Sequence, residues 1–177
     1  MYKRQKARRM IQLGMTIVAI TGHRPEDLQN PEWVHATLKD VLNQINPDML
    51  YQGMAAGADL LSAQVAYELS IPFVATRPWA THTPRLEDAD LYEWVLDNAF
   101  EVVTVNSLRY YAGPFLYHAR NEYMVDHADI VVAVWNGNNK GGTAACVRYA
   151  NKKNKPLVQI NPLTMTVTQA VEAVPFF

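Results

Sequence analysis

The feature that most constrains the fold is the alternation of short apolar segments with segments of helical periodicity. The first apolar segment, TIVAI at residues 16–20, is apolar at four successive positions rather than at alternate ones. Continuous runs of this length are typical of strands that are covered on both faces. Five further segments of this kind are predicted as strands: 49–51, 72–75, 101–105, 130–134 and 156–160.

Helical segments lie between these strands. Asn30 and Pro31 have the chemistry of a helix start, and Val34, Leu38 and Leu42 follow at helical spacing. Alternating strands and helices imply right-handed crossovers and a parallel sheet. We therefore predict one three-layer, Rossmann-like α/β domain over residues 16–177, with a mainly parallel sheet and helices on both faces. Four further helices are predicted: 58–69, 91–98, 114–128 and 141–151.

Two stretches within this domain lack a regular assignment. Residues 76–88 contain two prolines and are predicted as a long polar loop. The segment after Asn161 fits neither periodicity and is left unassigned.

The composition limits the functional classes. The 177 residues are 49% hydrophobic, which is enough for one domain with a buried core. A formal net charge of -1 provides no overall field that would attract nucleic acid or an anionic membrane. Cys146 is the single cysteine, so no internal disulfide can form, and we predict neither a metal site nor a cofactor. A reducing, cytoplasmic location fits this cysteine content, and no apolar run approaches the ~20 residues of a membrane span.

Residues 1–15 are predicted to be a flexible basic extension. They begin with MYKRQKARR and lack the apolar stretch of a secretory signal. The extension is interpreted either as a flexible tail, or an upstream start codon, or as an arm that binds nucleic acid.

Ligands of open parallel sheets bind beyond the carboxyl ends of the strands, near the point where the strand order reverses. The residues that follow each strand are therefore the candidate site. After the first strand, Gly22 permits a sharp backbone turn, and His23 and Arg24 follow it. These two side chains either meet an anion or are exposed polar groups of a tight turn.

A small-residue loop follows the second strand and leads directly into a helix. It contains Gly53, Met54, Ala55 and Gly57, with Asp59 just beyond. Backbone amides at a helix start suit a phosphate, and small side chains allow close approach. Asp59 either caps the helix or accepts a hydrogen bond from a ribose hydroxyl.

A second glycine-rich loop follows the fifth strand. Gly141 and Gly142 provide uncrowded backbone at a helix start, and the Thr143 hydroxyl either caps that helix or binds a phosphate oxygen. No Gly-Lys-Ser/Thr sequence is present, so neither loop matches the phosphate-loop NTPase pattern. Earlier in this loop, Trp135 either stacks on a base or packs in the core. Asn136 is a turn former, and we include it with Trp135 among the predicted ligand-binding residues.

The helix over residues 114–128 carries an unusual polar face. Four residues share one side of it: Tyr117, Arg120, Asn121 and Met124. A guanidinium matches phosphate or carboxylate with a planar fork of donors. The alternative is that Arg120 pairs with a nearby acid, Asp126 or Glu122.

Together, these motifs resemble the SLOG superfamily, and within it the YpsA/YspA-like branch of bacteria and phages. The resemblance spans residues 16–162 and is carried by TGHRPEDL, GMAAGADLLSAQVAYELSIPF, YHARNEYMVDHADIVVAVWNG and KGGTAACVRYANKKNKPLVQINP. It implies a Rossmann-like fold that binds a nucleotide or a nucleotide-derived molecule, such as ADP-ribose-like or NAD-like compounds or a nucleoside monophosphate. It also implies a homo-oligomer.

The same superfamily contains the LOG phosphoribohydrolases, which cleave an N-glycosidic bond with an Arg and a Glu. By resemblance, Arg120 matches that Arg and Gly142-Thr143 match the Gly-Thr, but residues 144–146 offer no Glu. Cleavage by this chain would need another acid near the ribose, for which Asp59 and Glu122 are candidates.

The superfamily also contains the single-stranded DNA-binding protein DprA, whose small-residue loop resembles GMAAGAD here. A cationic cluster in and after the second glycine-rich loop is either a solvated face or a nucleic-acid contact: Lys140, Arg148, Lys152, Lys153 and Lys155. The main prediction is small-molecule binding through both loops. The alternatives are a nucleotide N-glycosidase and a single-stranded DNA binder.

Overall fold

A computed structural model describes residues 14–169, so the predicted basic extension lies almost entirely outside the described residues. Seven strands are present: β1 (Ile17–Gly22), β2 (Met49–Gln52), β3 (Phe73–Trp79), β4 (Glu101–Asn106), β5 (Ile130–Val134), β6 (Leu157–Asn161) and β7 (Thr166–Gln169). The α-helices of the same part of the chain are α1 (Pro31–Ile45), α2 (Ala58–Glu68), α3 (Ala89–Asn98), α4 (Phe115–His127) and α5 (Gly141–Lys152). Single 3-10 turns occupy Pro25–Asp27 and Leu86–Asp88.

The strands form one sheet in the order β4-β3-β2-β1-β5-β6-β7. The first six strands are parallel, and β7 pairs with β6 in the antiparallel direction. The predicted α/β fold class is therefore confirmed. The chain builds outward from β1 to β4 and then returns to place β5 beside β1, so the strand order reverses between these two strands. Their carboxyl ends meet where Gly22 is level with Val134.

Helices cover both faces of the sheet, which is why the central strands are apolar at successive positions. Val18 and Ile20 of β1 pack into a cluster with α1, α2 and α3. Ile17 and Ala19 pack on the other face against α4 and α5. All four side chains are buried, as a strand with two covered faces requires.

The predicted loop over residues 76–88 is wrong in its first part, because β3 continues to Trp79. Residues beyond Ala75 pair with β4, with Arg77 level with Thr104. Pro78 is tolerated in this extension because β2 has already ended level with Ala75, so no strand on that side needs its missing amide.

The segment after Asn161, which the pattern left unassigned, turns back to form β7 at the edge of the sheet. Within residues 14–169, no helix is long and apolar enough to cross a bilayer.

Candidate functional site

A cavity of about 650 Å³ opens at the carboxyl edge of the sheet, at the point where the strand order reverses. It brings together loops that are distant in the sequence, those after β1, β2 and β5, with one side of α4. Eleven of the residues predicted for the site line it: Gly22, His23, Arg24, Ala55, Asp59, Arg120, Asn121, Asn136, Gly141, Gly142 and Thr143.

His23 joins the two loops on either side of the reversal point. Its backbone amide donates to Val134 O (3.0 Å), and its ring Nε2 accepts from Asn136 N (3.0 Å). The preceding Gly22 is the last residue of β1 rather than part of a free turn. A Cβ on Gly22 would lie 2.4 Å from Ala58 Cβ, so this glycine lets α2 approach the sheet closely.

The small-residue loop over residues 53–57 uses several of its amides internally. Two amides of the loop donate to side chains of the protein, Met54 N to Gln52 Oε1 (2.8 Å) and Ala55 N to Asp59 Oδ2 (3.2 Å). The amide of Ala58, the first residue of α2, donates to His23 O (3.0 Å). Gly57 has a φ of 89°, and a Cβ there would lie 2.4 Å from His23 O. Met54 is fully buried. The loop therefore presents fewer free donors to a ligand than its glycine pattern predicts.

Arg120 lies on this loop with its side chain 6% exposed. Its Nη1 donates to Gly53 O and its Nε donates to Asn121 Oδ1 (3.1 Å). A Cβ on Gly53 would lie 2.7 Å from the guanidinium carbon, so this glycine makes room for the Arg120 side chain. Among the described residues, Arg120 forms no ion pair with Asp126 or Glu122, and the acid-pairing alternative is not observed.

Asp59 lines the cavity and is only 4% exposed. Its carboxylate closes the small-residue loop by accepting from Ala55 N and does not cap α2, whose first turn has no side-chain cap. Burial raises the pKa of Asp59, although the charge of Arg120 and the backbone amides of Ala55 and Gly53 act in the opposite direction. The result is a carboxyl group held near a guanidinium at the base of the cavity.

The start of α5 differs from the small-residue loop because its amides are unused. None of the hydrogen bonds found in residues 14–169 involves the amides of Gly141, Gly142 or Thr143. Lys140 at the cap position makes no capping bond with its side chain. A Cβ on Gly141 or Gly142 would meet nothing within 4 Å, so both glycines face open space. Thr143 is the third helical residue and lines the cavity instead of capping the helix.

The charged lining of the cavity has a small cationic excess over three acidic residues, Glu26, Asp27 and Asp59. Four cationic side chains contribute to it: Arg24, Arg120, Lys140 and Arg148. Of the acidic lining residues, Glu26 forms an ion pair with Arg85, which lowers the pKa of the Glu26 carboxyl. Tyr117 also lines the cavity, and the guanidinium carbons of Arg24 and Arg120 lie 5.8 and 5.6 Å from its ring centroid.

Sequence reasoning left Tyr117, Lys140 and Arg148 out of the small-molecule site. The signal for Tyr117 was its place one helical turn before Arg120. Lys140 and Arg148 carried a signal as well, since one precedes and the other follows the second glycine-rich loop.

Five of the predicted residues do not line this cavity: Gly53, Met54 and Gly57 belong to the small-residue loop, and two others lie elsewhere. Trp135 is half-buried, packs beside α4 and α5, and donates from its indole Nε1 to Asn138 O (2.8 Å). Glu122 is exposed on α4 and lines a second cavity of about 250 Å³ between α4 and α5, together with Cys146. Burial raises the pKa of the Cys146 thiol to about 11.

The chain is similar in sequence and in fold to several known proteins. No protein-family model matches the chain. A UPF0398 protein of Bacillus cereus (strain G9842) is 23% identical over 159 residues, which cover 80% of this chain and 85% of that protein. This similarity supports the relationship to the SLOG superfamily that the sequence motifs predict.

Three solved structures share the fold of this chain. DprA from Streptococcus pneumoniae matches with a TM-score of 0.66 and 15% identity over 83% of this chain, which spans only about half (50%) of that protein. DprA from Helicobacter pylori, described with a single-stranded DNA binding mode, matches at 0.61 and 21% identity, covering 81% of this chain and 64% of that one. The molybdenum cofactor carrier protein of Chlamydomonas reinhardtii matches at 0.57 and 18% identity, covering 82% and 76%. At these identities the structures show a common fold.

Proposed function

We propose that this protein binds a phosphate-bearing nucleotide, or a molecule derived from one, in the cavity at the carboxyl edge of the sheet. The supporting observation is that no residue within 14–169 accepts from the amides of Gly141, Gly142 or Thr143, and that these three residues line a cavity with four cationic side chains. Amides at a helix start and guanidinium groups are the donors that phosphate prefers.

The phosphate is assigned to the start of α5 rather than to the small-residue loop. The latter donates from Met54 N and Ala55 N to the protein's own side chains. Its role in this proposal is to hold Arg120 and Asp59 at the base of the cavity. The two glycine-rich loops therefore act differently, one as a phosphate site and the other as a support.

Asn121 and Asp59 supply the contacts for a sugar. Asn121 is 5% exposed, and its Oδ1 accepts from Arg120 Nε, which leaves its Nδ2 donors without a partner in the described residues. A ribose hydroxyl can accept from Asn121 Nδ2 and donate to the Asp59 carboxylate. A volume of about 650 Å³ is in the range of small-molecule sites.

Ligand-dependent melting and calorimetry test this proposal with ADP-ribose, adenosine 5′-monophosphate and ribose 5-phosphate. A hundredfold excess of ligand over Kd should raise the unfolding free energy by about 2.7 kcal/mol. Lys140→Ala should weaken binding, whereas the matched control Lys39→Ala should not, because Lys39 pairs with Glu68 on the opposite side of the sheet. No melting shift in the folded wild-type protein at millimolar ligand would contradict the proposal.

A second candidate function is hydrolysis of a nucleotide N-glycosidic bond. It is favoured by the position of Asp59, a buried carboxyl with a raised pKa in the same cavity as Arg120. In this reaction the bond from the sugar C1′ to the base breaks, C1′ takes hydroxide from water, and the departing base takes a proton. Chromatography should then detect free base and ribose 5-phosphate, and Asp59→Asn should abolish them while binding persists. Tight binding without release of free base would mean that the protein binds the nucleotide but does not cleave it.

Single-stranded DNA binding is the remaining candidate, and it rests on the likeness to the DprA fold. The cationic cluster supports it less than the sequence predicts. Lys155 Nζ donates to Ala128 O (2.7 Å), and Lys153 lies over the Tyr149 ring. A gel shift with a single-stranded oligonucleotide at low salt tests this candidate. The cytoplasmic location and the homo-oligomeric state stay predictions.

A further inference from the structure

Three exposed aromatic side chains lie close in the sequence to residues that line the cavity. We call this group the aromatic rim, and it consists of Tyr110, Tyr111 and Phe115, which are 63%, 53% and 52% exposed. All three lie at the junction between β4 and α4, and Pro114 and Tyr117 from the same stretch line the cavity. Clusters of exposed large apolar groups are uncommon on protein surfaces and tend to mark binding sites.

A chain of ring contacts joins the aromatic rim to the cationic lining. The ring centroid of Tyr111 lies 5.9 Å from that of Tyr117 and 5.3 Å from that of Trp79. Trp79 is buried and also contacts Tyr117, at 5.4 Å, so it holds both tyrosines in place. Tyr117 in turn has the guanidinium of Arg120 over its ring. Tyr111 therefore packs against the buried Trp79 and against Tyr117, which lines the cavity, while about half of Tyr111 (53%) stays exposed to solvent.

We propose that the aromatic rim holds the base of the nucleotide, which stacks on Tyr111. This inference rests on the proposed function of the cavity and narrows the ligand class to molecules that keep an aromatic base, as opposed to sugar phosphates. Stacking on a tyrosine ring contacts the flat face of a base and not its hydrogen-bonding edge. The site should therefore bind a nucleotide more tightly than a sugar phosphate, with little preference for one base over another.

Calorimetric titration with adenosine 5′-monophosphate and ribose 5-phosphate tests the inference, because these two molecules differ by the base. The wild-type protein should bind the nucleotide about tenfold more tightly than the sugar phosphate. Tyr111→Leu keeps an apolar side chain against Trp79 but removes the aromatic face, and it should bind the two molecules with similar affinity. Tyr111→Phe should retain the preference, since stacking does not need the hydroxyl.

Tyr67→Ala is the matched control, because Tyr67 is 56% exposed and packs on Trp94 rather than at the cavity. It should leave both affinities unchanged. If the wild-type protein binds both molecules equally, or if Tyr111→Leu keeps the preference for the nucleotide, the base does not stack on Tyr111 and the inference is overturned, while the proposed cavity function stands. If the wild-type protein binds neither molecule, this inference fails, and the proposed function fails as well if ADP-ribose also gives no melting shift.

Discussion

Gly142 allows folding and binding to be separated in one substitution. It lies in the first turn of α5, its φ is outside the left-handed region, and a Cβ there would meet nothing within 4 Å. Its neighbour Gly141 faces equally open space but has a φ of 90°. Gly142→Ala and Gly141→Ala therefore add the same methyl group to similar surroundings and differ in backbone strain.

The expected effects on stability have opposite signs. Alanine is favoured over glycine in a helix interior by about 0.8–1.0 kcal/mol, and roughly half of that applies in the first turn. Gly142→Ala should thus raise the unfolding free energy by about 0.5 kcal/mol, or Tm by about 1–2 °C for a domain of this size. Gly141→Ala should lower the unfolding free energy by about 1 kcal/mol, because a side chain is strained at positive φ.

Binding should nevertheless weaken in the more stable variant. The new methyl group of Gly142→Ala occupies the open space beside the unused amides, where the phosphate is proposed to lie, and affinity for ADP-ribose should fall by about tenfold, or ~1.4 kcal/mol. Thermal melts with and without millimolar ADP-ribose measure both effects on one sample. A lower Tm without ligand, or a ligand-induced shift equal to that of the wild-type protein, would refute the reasoning.

Three further predictions concern the scaffold. Burial and the charge of Arg120 lower the pKa of His82 from 6.5 to about 4. Between pH 6.5 and 4 the unfolded state therefore binds more protons than the folded state, and the unfolding free energy should fall by at most about 3 kcal/mol as the pH drops through this range. Thermal melts of His82→Gln should show a smaller fall over the same range. Gly22→Ala should lower the unfolding free energy, measured by urea denaturation, by about 2–3 kcal/mol, because the new Cβ would lie 2.4 Å from that of Ala58. An unchanged urea midpoint would contradict this. Cys146, with its pKa raised to about 11, should resist iodoacetamide at about pH 8 until the protein is unfolded, and labelling of the native protein would show otherwise.

The fold could be predicted where the signal is local. The β5 bounds match the prediction from its apolar run, since a strand covered on both faces is apolar at every position. The extension of β3 to Trp79 could not be predicted in the same way. It depends on β4 lying alongside residues 76–79 and on β2 ending earlier, so that Pro78 leaves no hydrogen bond unmade.

The candidate site shows the same division. Polar and small residues after β1, β2 and β5 could be identified because the carboxyl ends of parallel strands share one edge. The aromatic rim could not, because the exposure of Tyr110, Tyr111 and Phe115 depends on how the β4–α4 connection packs against Trp79.

The sequence by itself determined the alternation of strands and helices and the presence of two glycine-rich helix starts, since periodicity and the absence of a side chain are local properties. Only the tertiary structure decided which helix start keeps its amides unused. That outcome depends partly on a contact across the chain, because Ala58 N donates to His23 O, and partly on which way the nearby Gln52 and Asp59 side chains turn, because they accept from Met54 N and Ala55 N. A hydrogen-bond donor in a loop is available to a ligand only when folding brings it no protein acceptor, and local sequence does not contain that information.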